Sequence, residues 1–96
     1  MIARNFRCKI GEIDLIMSDD SGAIVFIEVK TRRSESLANA QDAVNFPKRQ
    51  KLVNSAKYFV KQYDIKGRPL RFDVMAVVLG EKGPVEIRHY RNAFVP

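Results

Sequence analysis

One cysteine and one histidine are all the thiol and imidazole that 96 residues contain. A lone thiol can close neither an internal disulfide nor a thiolate zinc cage, so Cys8 is expected to be a small, half-buried strand residue. His89 has no second histidine or cysteine to join it and is expected to be a surface residue. No apolar run approaches the ~20 residues of a membrane span, and the opening "MIARNFRCK" has no apolar signal-peptide core. The expectation is a cytoplasmic protein that does not enter a membrane. Internal repeats, low-complexity segments and linkers are also lacking, so residues 1–96 read as a single domain. A chain of this size buries roughly 60–65% of the surface its unfolded form exposes, which gives an adequate core without excess.

What is abundant is positive charge. Seventeen Lys and Arg against eleven Asp and Glu give a net charge of +6 and a pI near 9.8. That excess favours a polyanionic partner through counterion release and electrostatic steering. Its placement sharpens the point, because "KTRR" (30–33) and "PKRQK" (47–51) follow closely on a cluster of acids.

The chain divides into short strands and one helix. "IARNFRC" (2–8) reads as an opening strand. "EIDLIMS" (12–18) alternates, with Ile13, Leu15 and Met17 on one face and Glu12, Asp14 and Ile16 on the other. "DDSG" (19–22) has turn chemistry. "AIVFIEVKT" (23–31) is apolar on both faces until Glu28, as expected of a central strand forming a hairpin with its predecessor. Residues 33–44 show no strand pattern and are expected to form an irregular loop. Asn45 is a candidate helix cap, and Pro47 suits a first turn. Leu52, Val53, Ala56, Phe59, Val60 and Tyr63 then recur at helical spacing over 46–63. "LRFDVMAVVL" (70–79) is a second two-faced apolar strand, "GEKGP" (80–84) a turn, and "VEIRHYRN" (85–92) a more exposed strand. The order strand-strand-strand-helix-strand-strand predicts an α/β fold, a mixed sheet with its helix across one face.

Within the hairpin, residues two apart share a face, so Glu12 joins Asp14 and Glu28 joins Lys30. A turn centred on Ser21 sets Asp14 opposite Glu28 and Glu12 opposite Lys30. Three carboxylates and one ammonium then crowd one patch, and like charges so close destabilise one another unless a cation shares the site. Hard oxygen ligands suit Mg²⁺ or Mn²⁺. Such a metal with Lys30 beside it would support hydrolysis of a phosphodiester. The plainer alternative is a set of cross-strand Glu–Lys pairs on a solvated face, each worth about 0.2–1 kcal/mol. Asp73, inside an apolar strand, is expected to pair with Arg71 or Arg32. Thr31, Arg32, Arg33, Lys48, Arg49 and Lys51 are candidates for phosphate contact, with a solvated helix turn as the alternative for the last three.

Asp14, followed after thirteen intervening residues by Glu28-Val29-Lys30, resembles the signature of the PD-(D/E)xK nuclease superfamily, which includes restriction endonucleases and archaeal Holliday-junction resolvases. The longer strings "ARNFRCKIGEIDLI", "VFIEVKTRR", "AVNFPKRQKL", "RFDVMAV" and "IRHYRNAF" resemble, in order and spacing, the YraN family of small bacterial endonuclease-like proteins. The resemblance implies Asp14 and Glu28 as metal-binding carboxylates, Lys30 as the catalytic lysine, Glu12 as an accessory acid and Lys48 as a basic residue at the helix start. It implies a restriction-endonuclease-like fold, Mg²⁺ or Mn²⁺ as cofactor, and DNA, branched or damaged, as substrate. It also implies a further N-terminal helix carrying an acid. The sequence opens at "MIARNF", past the place for that helix, so the helix is expected to be missing. An apolar sheet face left bare in this way invites self-association as a homodimer. Two other classes of function stay open: a nucleic-acid-binding module that does not cleave, and a protein-interaction domain with a vestigial site.

Overall fold

The computed structural model describes residues 1–33 and 46–94. Its elements are β1 (Ala3–Arg7), β2 (Glu12–Ser18), β3 (Ile24–Arg33), α1 (Phe46–Gln62), β4 (Leu70–Gly80) and β5 (Gly83–Phe94), in the expected order. Arg33 extends β3; the rest of the expected loop, and the candidate cap Asn45, lie outside the described residues. Cys8 is half-buried as expected, but it follows β1 instead of belonging to it.

The strands form one mixed sheet in the order β1-β2-β3-β4-β5. Every neighbouring pair is antiparallel except β3 and β4, which run parallel from Ile24↔Leu70 to Arg33↔Leu79. Parallel neighbours need a crossover, and α1 lies within it. The β2–β3 turn is built by Asp19, whose carboxylate accepts the N–H groups of Ser21 (2.9 Å) and Ala23 (3.0 Å) and the Ser21 hydroxyl (2.7 Å). Gly22 completes it at φ 92°, a backbone region that favours glycine.

Apolar side chains of one sheet face meet one stripe of the helix. Ile16, Ile24, Phe26, Phe72 and Val74 are buried against Leu52, Val53, Ala56 and Phe59. Phe26 stacks on Phe72 at 5.4 Å, and Phe59 meets Phe26 edge-on at 6.1 Å. Full burial of each such side chain contributes about 1.5–3 kcal/mol. The helix ends where Asp64 takes a left-handed conformation (φ 52°) and the Ile65 N–H turns back to the Val60 carbonyl at 3.0 Å. Tyr63, expected on the packed face, sits past the last turn of α1. It is exposed and only leans on Phe59, ring to ring at 4.8 Å.

β3 is central, as its composition predicts: Ile24, Val25, Phe26 and Ile27 are all buried, so both faces of the strand are covered. The strict alternation expected of β2 is not kept. Ile13 and Ile16, three residues apart, both belong to the core under α1, whereas a regular pleat turns them to opposite faces. The pleat of β2 therefore breaks between them, beside Asp14.

Candidate active site

The site begins where the β2–β3 ladder stops. Its partner pairs run from Ser18↔Ile24 to Leu15↔Ile27, the register that a turn centred on Ser21 predicts. Beyond them, the Asp14 carboxylate takes over: Oδ2 accepts the Val29 N–H at 2.8 Å. A backbone donor that would otherwise lose its partner is satisfied by a side chain. The carboxylate is thereby fixed beside the residue preceding Val29, Glu28.

Glu28 lies on the same face of β3 as Phe26, one step beyond the buried core. Its Oε1 pairs with Lys30 Nζ at 2.9 Å, and both side chains are largely enclosed, at 23% and 15% exposure. Burial holds the Glu28 acid above the ordinary glutamate value. The Lys30 ammonium pulls it down, the Asp14 carboxylate pushes it up again, and the net shift is upward. Two carboxylates thus share a partly desolvated place with one ammonium close by, and the negative charge there is incompletely compensated.

A cleft of about 180 Å³ opens over these groups, lined by Gly11, Glu12, Glu28, Lys30, Lys48, Lys51 and Leu52. The β1–β2 connection supplies one wall, β3 the floor, and the first turns of α1 the other wall. Of the residues expected to act together, Glu12, Glu28, Lys30, Lys48 and Lys51 meet here, with Asp14 adjoining Glu28. Thr31 is exposed on the opposite face of β3, and Thr31 and Arg49 do not line the cleft. Arg32 and Arg33 continue the β3 backbone, but their side chains lie outside the described residues.

Glu12 corrects one expectation. It was to face Lys30 and complete a patch of three acids, but the β2–β3 partner pairs end before it. Its direct ladder neighbour is Arg7, and the two pair at 3.2 Å on the surface. Accordingly, among the described residues no three of Asp, Glu, His and Cys gather closely enough to hold a metal ion. Asp14 and Glu28 are the two hard-oxygen groups that are brought together.

A second polar cluster centres on Asp73, which is fully buried. Arg71 grips it through Nε (2.9 Å) and Nη2 (3.0 Å), as one of the two expected pairings has it. The Asn92 N–H donates to Oδ1 at 2.9 Å, and His89 Nε2 lies 2.6 Å from Oδ2. His89 is exposed but not idle, which corrects its reading as a plain surface residue. These hydrogen bonds outweigh burial and hold the Asp73 acid below the ordinary aspartate value. Arg71 also reaches Asp19 at 3.0 Å and so ties β4 to the β2–β3 turn. The sequence signal for this cluster reached Asp73, a carboxylate inside an apolar strand, and its pairing with Arg71, but not His89 or Asn92.

The model of the uncharacterised protein family UPF0102 matches residues 1–77, which include both clefted acids, Lys30, α1 and Asp73. A UPF0102 protein of Caldicellulosiruptor saccharolyticus is 41% identical over 95 residues, covering 98% of this chain and 80% of the relative. A UPF0102 protein of Clostridioides difficile is 40% identical over 96 residues (98% and 79%), and one of Caldanaerobacter subterraneus is 43% identical over 96 (98% and 78%). No helix among the described residues is long and apolar enough to cross a membrane.

Proposed function

The chain belongs to the UPF0102 family, and we propose that it is a metal-dependent endonuclease of PD-(D/E)xK type, hydrolysing phosphodiester bonds in branched or damaged DNA. One observation carries this reading: Asp14 is anchored beside Glu28, and Glu28 is paired to Lys30 in a cleft overhung by Lys48 and Lys51. The β3–α1–β4 crossover, which sets the start of the helix over the acids, agrees with a restriction-endonuclease-like arrangement.

The donor set fits Mg²⁺ or Mn²⁺. Val29 occupies Oδ2 of Asp14 and Lys30 occupies Oε1 of Glu28, leaving one oxygen of each carboxylate for a cation. Burial first, and then the neighbouring Asp14 carboxylate, make Glu28 a weaker acid than ordinary glutamate, and a bound cation would offset that cost. When bound there, the ion would polarise the scissile phosphate and acidify an attacking water. Lys30, held by Glu28, stabilises the charge that builds on the phosphorus oxygens. Lys48 and Lys51 position the flanking backbone without reading sequence. A cytoplasmic location and self-association as a homodimer belong to the same reading.

A second reading, nucleic-acid binding without cleavage, is favoured by Glu12, which lines the cleft but pairs with Arg7. Supercoiled plasmid and a synthetic four-way junction, incubated with Mg²⁺ or Mn²⁺, separate the two. Cleavage lost in Lys30→Ala and Asp14→Asn supports the nuclease. Salt-dependent retardation with no cleavage by the wild type supports the binding module.

A further inference from the structure

Acidic residues are missing from two neighbouring elements. α1 carries Lys48, Arg49, Lys51, Lys57 and Lys61 and no Asp or Glu. β1 and the connection after it, residues 3–11, hold Arg4, Arg7 and Lys9 and again no acid. A solvated helix ordinarily mixes both signs, because like charges along it repel. A wall of one sign makes a field for a polyanion. The two elements meet along one side of the helix. Lys48 and Lys51 line the cleft beside Gly11 and Glu12. Ser55 abuts Gly11, where an added Cβ would stand 3.3 Å from its hydroxyl oxygen. Tyr58 leans on Phe6 of β1, ring centroids 6.5 Å apart. Steps of three and four residues put these positions, and Gln62 after them, on one stripe. At the far end of that stripe, Tyr58, Lys61 and Gln62 line a groove of about 400 Å³. The Phe6 contact is oblique, the rings tilted by 42°, and leaves Tyr58 39% exposed.

We propose that the Tyr58–Lys61–Gln62 groove binds an unpaired nucleotide of single-stranded DNA, whose backbone runs from the cleft along the acid-free side of α1. The inference rests on the DNA reading of the cleft and adds the form of the substrate, a duplex or junction with a single-stranded extension. The Tyr58 ring offers a flat apolar face on which any base can stack, while the phenol keeps its polar tip in water. In a duplex both faces of a base are covered by its neighbours, so the ring selects unpaired bases. Lys61, one turn on and exposed, meets the phosphate beside that base. Seven residues separate Lys51 from Tyr58, about 10 Å along the helix axis. A strand covers that distance in ~3 nucleotide steps of ~3.4 Å each. A backbone engaged at the cleft by Lys51 therefore reaches Tyr58 without leaving the helix. Packing alone calls for a different surface: Phe59, which serves the core, is 2% exposed, whereas Tyr58 stands among lysines.

The test uses the full chain in EDTA, so that binding is read apart from cleavage. Fluorescence anisotropy compares a labelled oligothymidylate with a duplex of the same length. Tyr58→Ala is expected to weaken the oligothymidylate complex by about 5- to 150-fold, the effect of losing one stacked base, and the duplex complex much less. Duplex binding retained by Tyr58→Ala also shows that the variant folds. Tyr58→Phe, which keeps the ring, should bind the single strand nearly as wild type does. Lys61→Ala should lower the slope of log affinity against log salt by about 0.7 on the single strand. Equal single-strand affinity for wild type and Tyr58→Ala, equal losses on single strand and duplex, or a loss in Tyr58→Phe as large as in Tyr58→Ala overturns the proposal. So does a wild-type protein that binds no oligothymidylate. Plasmid cleavage with Mg²⁺ or Mn²⁺ is scored separately. Cleavage by the wild type with no effect of Tyr58 on binding refutes the stacking groove alone; Tyr58-dependent binding without cleavage refutes hydrolysis and supports the groove.

Discussion

Asp14 accepts the Val29 N–H across the gap between two strands, 2.8 Å from a backbone donor fifteen residues along the chain. The bond makes one side chain both a structural bridge and a candidate ligand, and substitutions can separate the two roles. Asp14→Asn keeps an acceptor oxygen for Val29 and removes the charge; Asp14→Ala removes both. The alanine variant is expected to lose roughly 1–3 kcal/mol, the cost of an unsatisfied buried donor. The asparagine variant should lose less than that, because it keeps the Val29 bond while both variants relieve Glu28 of the neighbouring charge. Urea midpoints decide it: equal losses in the two variants would mean that the Val29 bond contributes nothing of its own.

Acidity at Glu28 gives the site a pH signature. Its folded value is raised above the unfolded one, first by burial. The native state therefore binds this proton more readily than the unfolded chain does. Its contribution to stability is full below the unfolded value, near 4.3, and declines as pH rises toward the folded value. A divalent cation favours the ionised form and reverses that trend. Stabilisation by Mn²⁺, read as the shift in thermal midpoint, should thus grow with pH through this window. Asp14→Asn, whatever its effect on affinity, should lower the acidity midpoint of Glu28. A Mn²⁺ shift that is flat across this range would place the ion elsewhere.

Strand and helix positions were legible in the sequence because they are set locally: period-two and helical spacing located five strands and α1 to within a few residues. The pairing of Arg71 with Asp73 was legible for the same reason, since residues two apart on a strand share a face. What escaped were the interruptions. The pleat break between Ile13 and Ile16, and the register shift between Phe72 and Val74 on β4, depend on how strands twist against neighbours far along the chain. His89 and Asn92 reach Asp73 from sixteen and nineteen residues away because of such an irregularity. Both aspartates within the apolar strands sit at ladder breaks, each accepting an N–H there. Asp73 is saturated by Arg71, His89 and Asn92 and reads as structure; Asp14 has one backbone donor and a second carboxylate beside it, and reads as chemistry.

Lys51 is exposed on α1 and lines the cleft. If it neutralises one phosphate, Lys51→Ala should weaken DNA binding by similar factors on unrelated sequences. The slope of log affinity against log salt should fall by about 0.9. Filter binding or fluorescence anisotropy over a salt series measures this directly. An unchanged slope would remove Lys51 from the interface, whatever the change in affinity at one salt concentration.

Asp73 has no exposed surface and Arg71 is mostly enclosed, so removing the arginine strands a buried charge. Arg71→Ala is expected to cost about 3–5 kcal/mol, a large part of the stability of a domain this small. It also frees the β2–β3 turn, because Arg71 holds Asp19. Asp73→Asn loses the charge along with the bidentate grip and should cost less than Arg71→Ala, since no ion is left unpaired. The pH dependence carries the sign. Because the folded acid is more acidic than the unfolded one, its contribution is fully present above the unfolded value, near 3.9, and is lost as pH falls through the folded value. Wild type should therefore destabilise as pH falls below about 4, and Asp73→Asn should show a shallower decline over the same range. Chemical denaturation at stepped pH compares them: parallel pH profiles for the two proteins would mean that the buried carboxylate is not what acid attacks first.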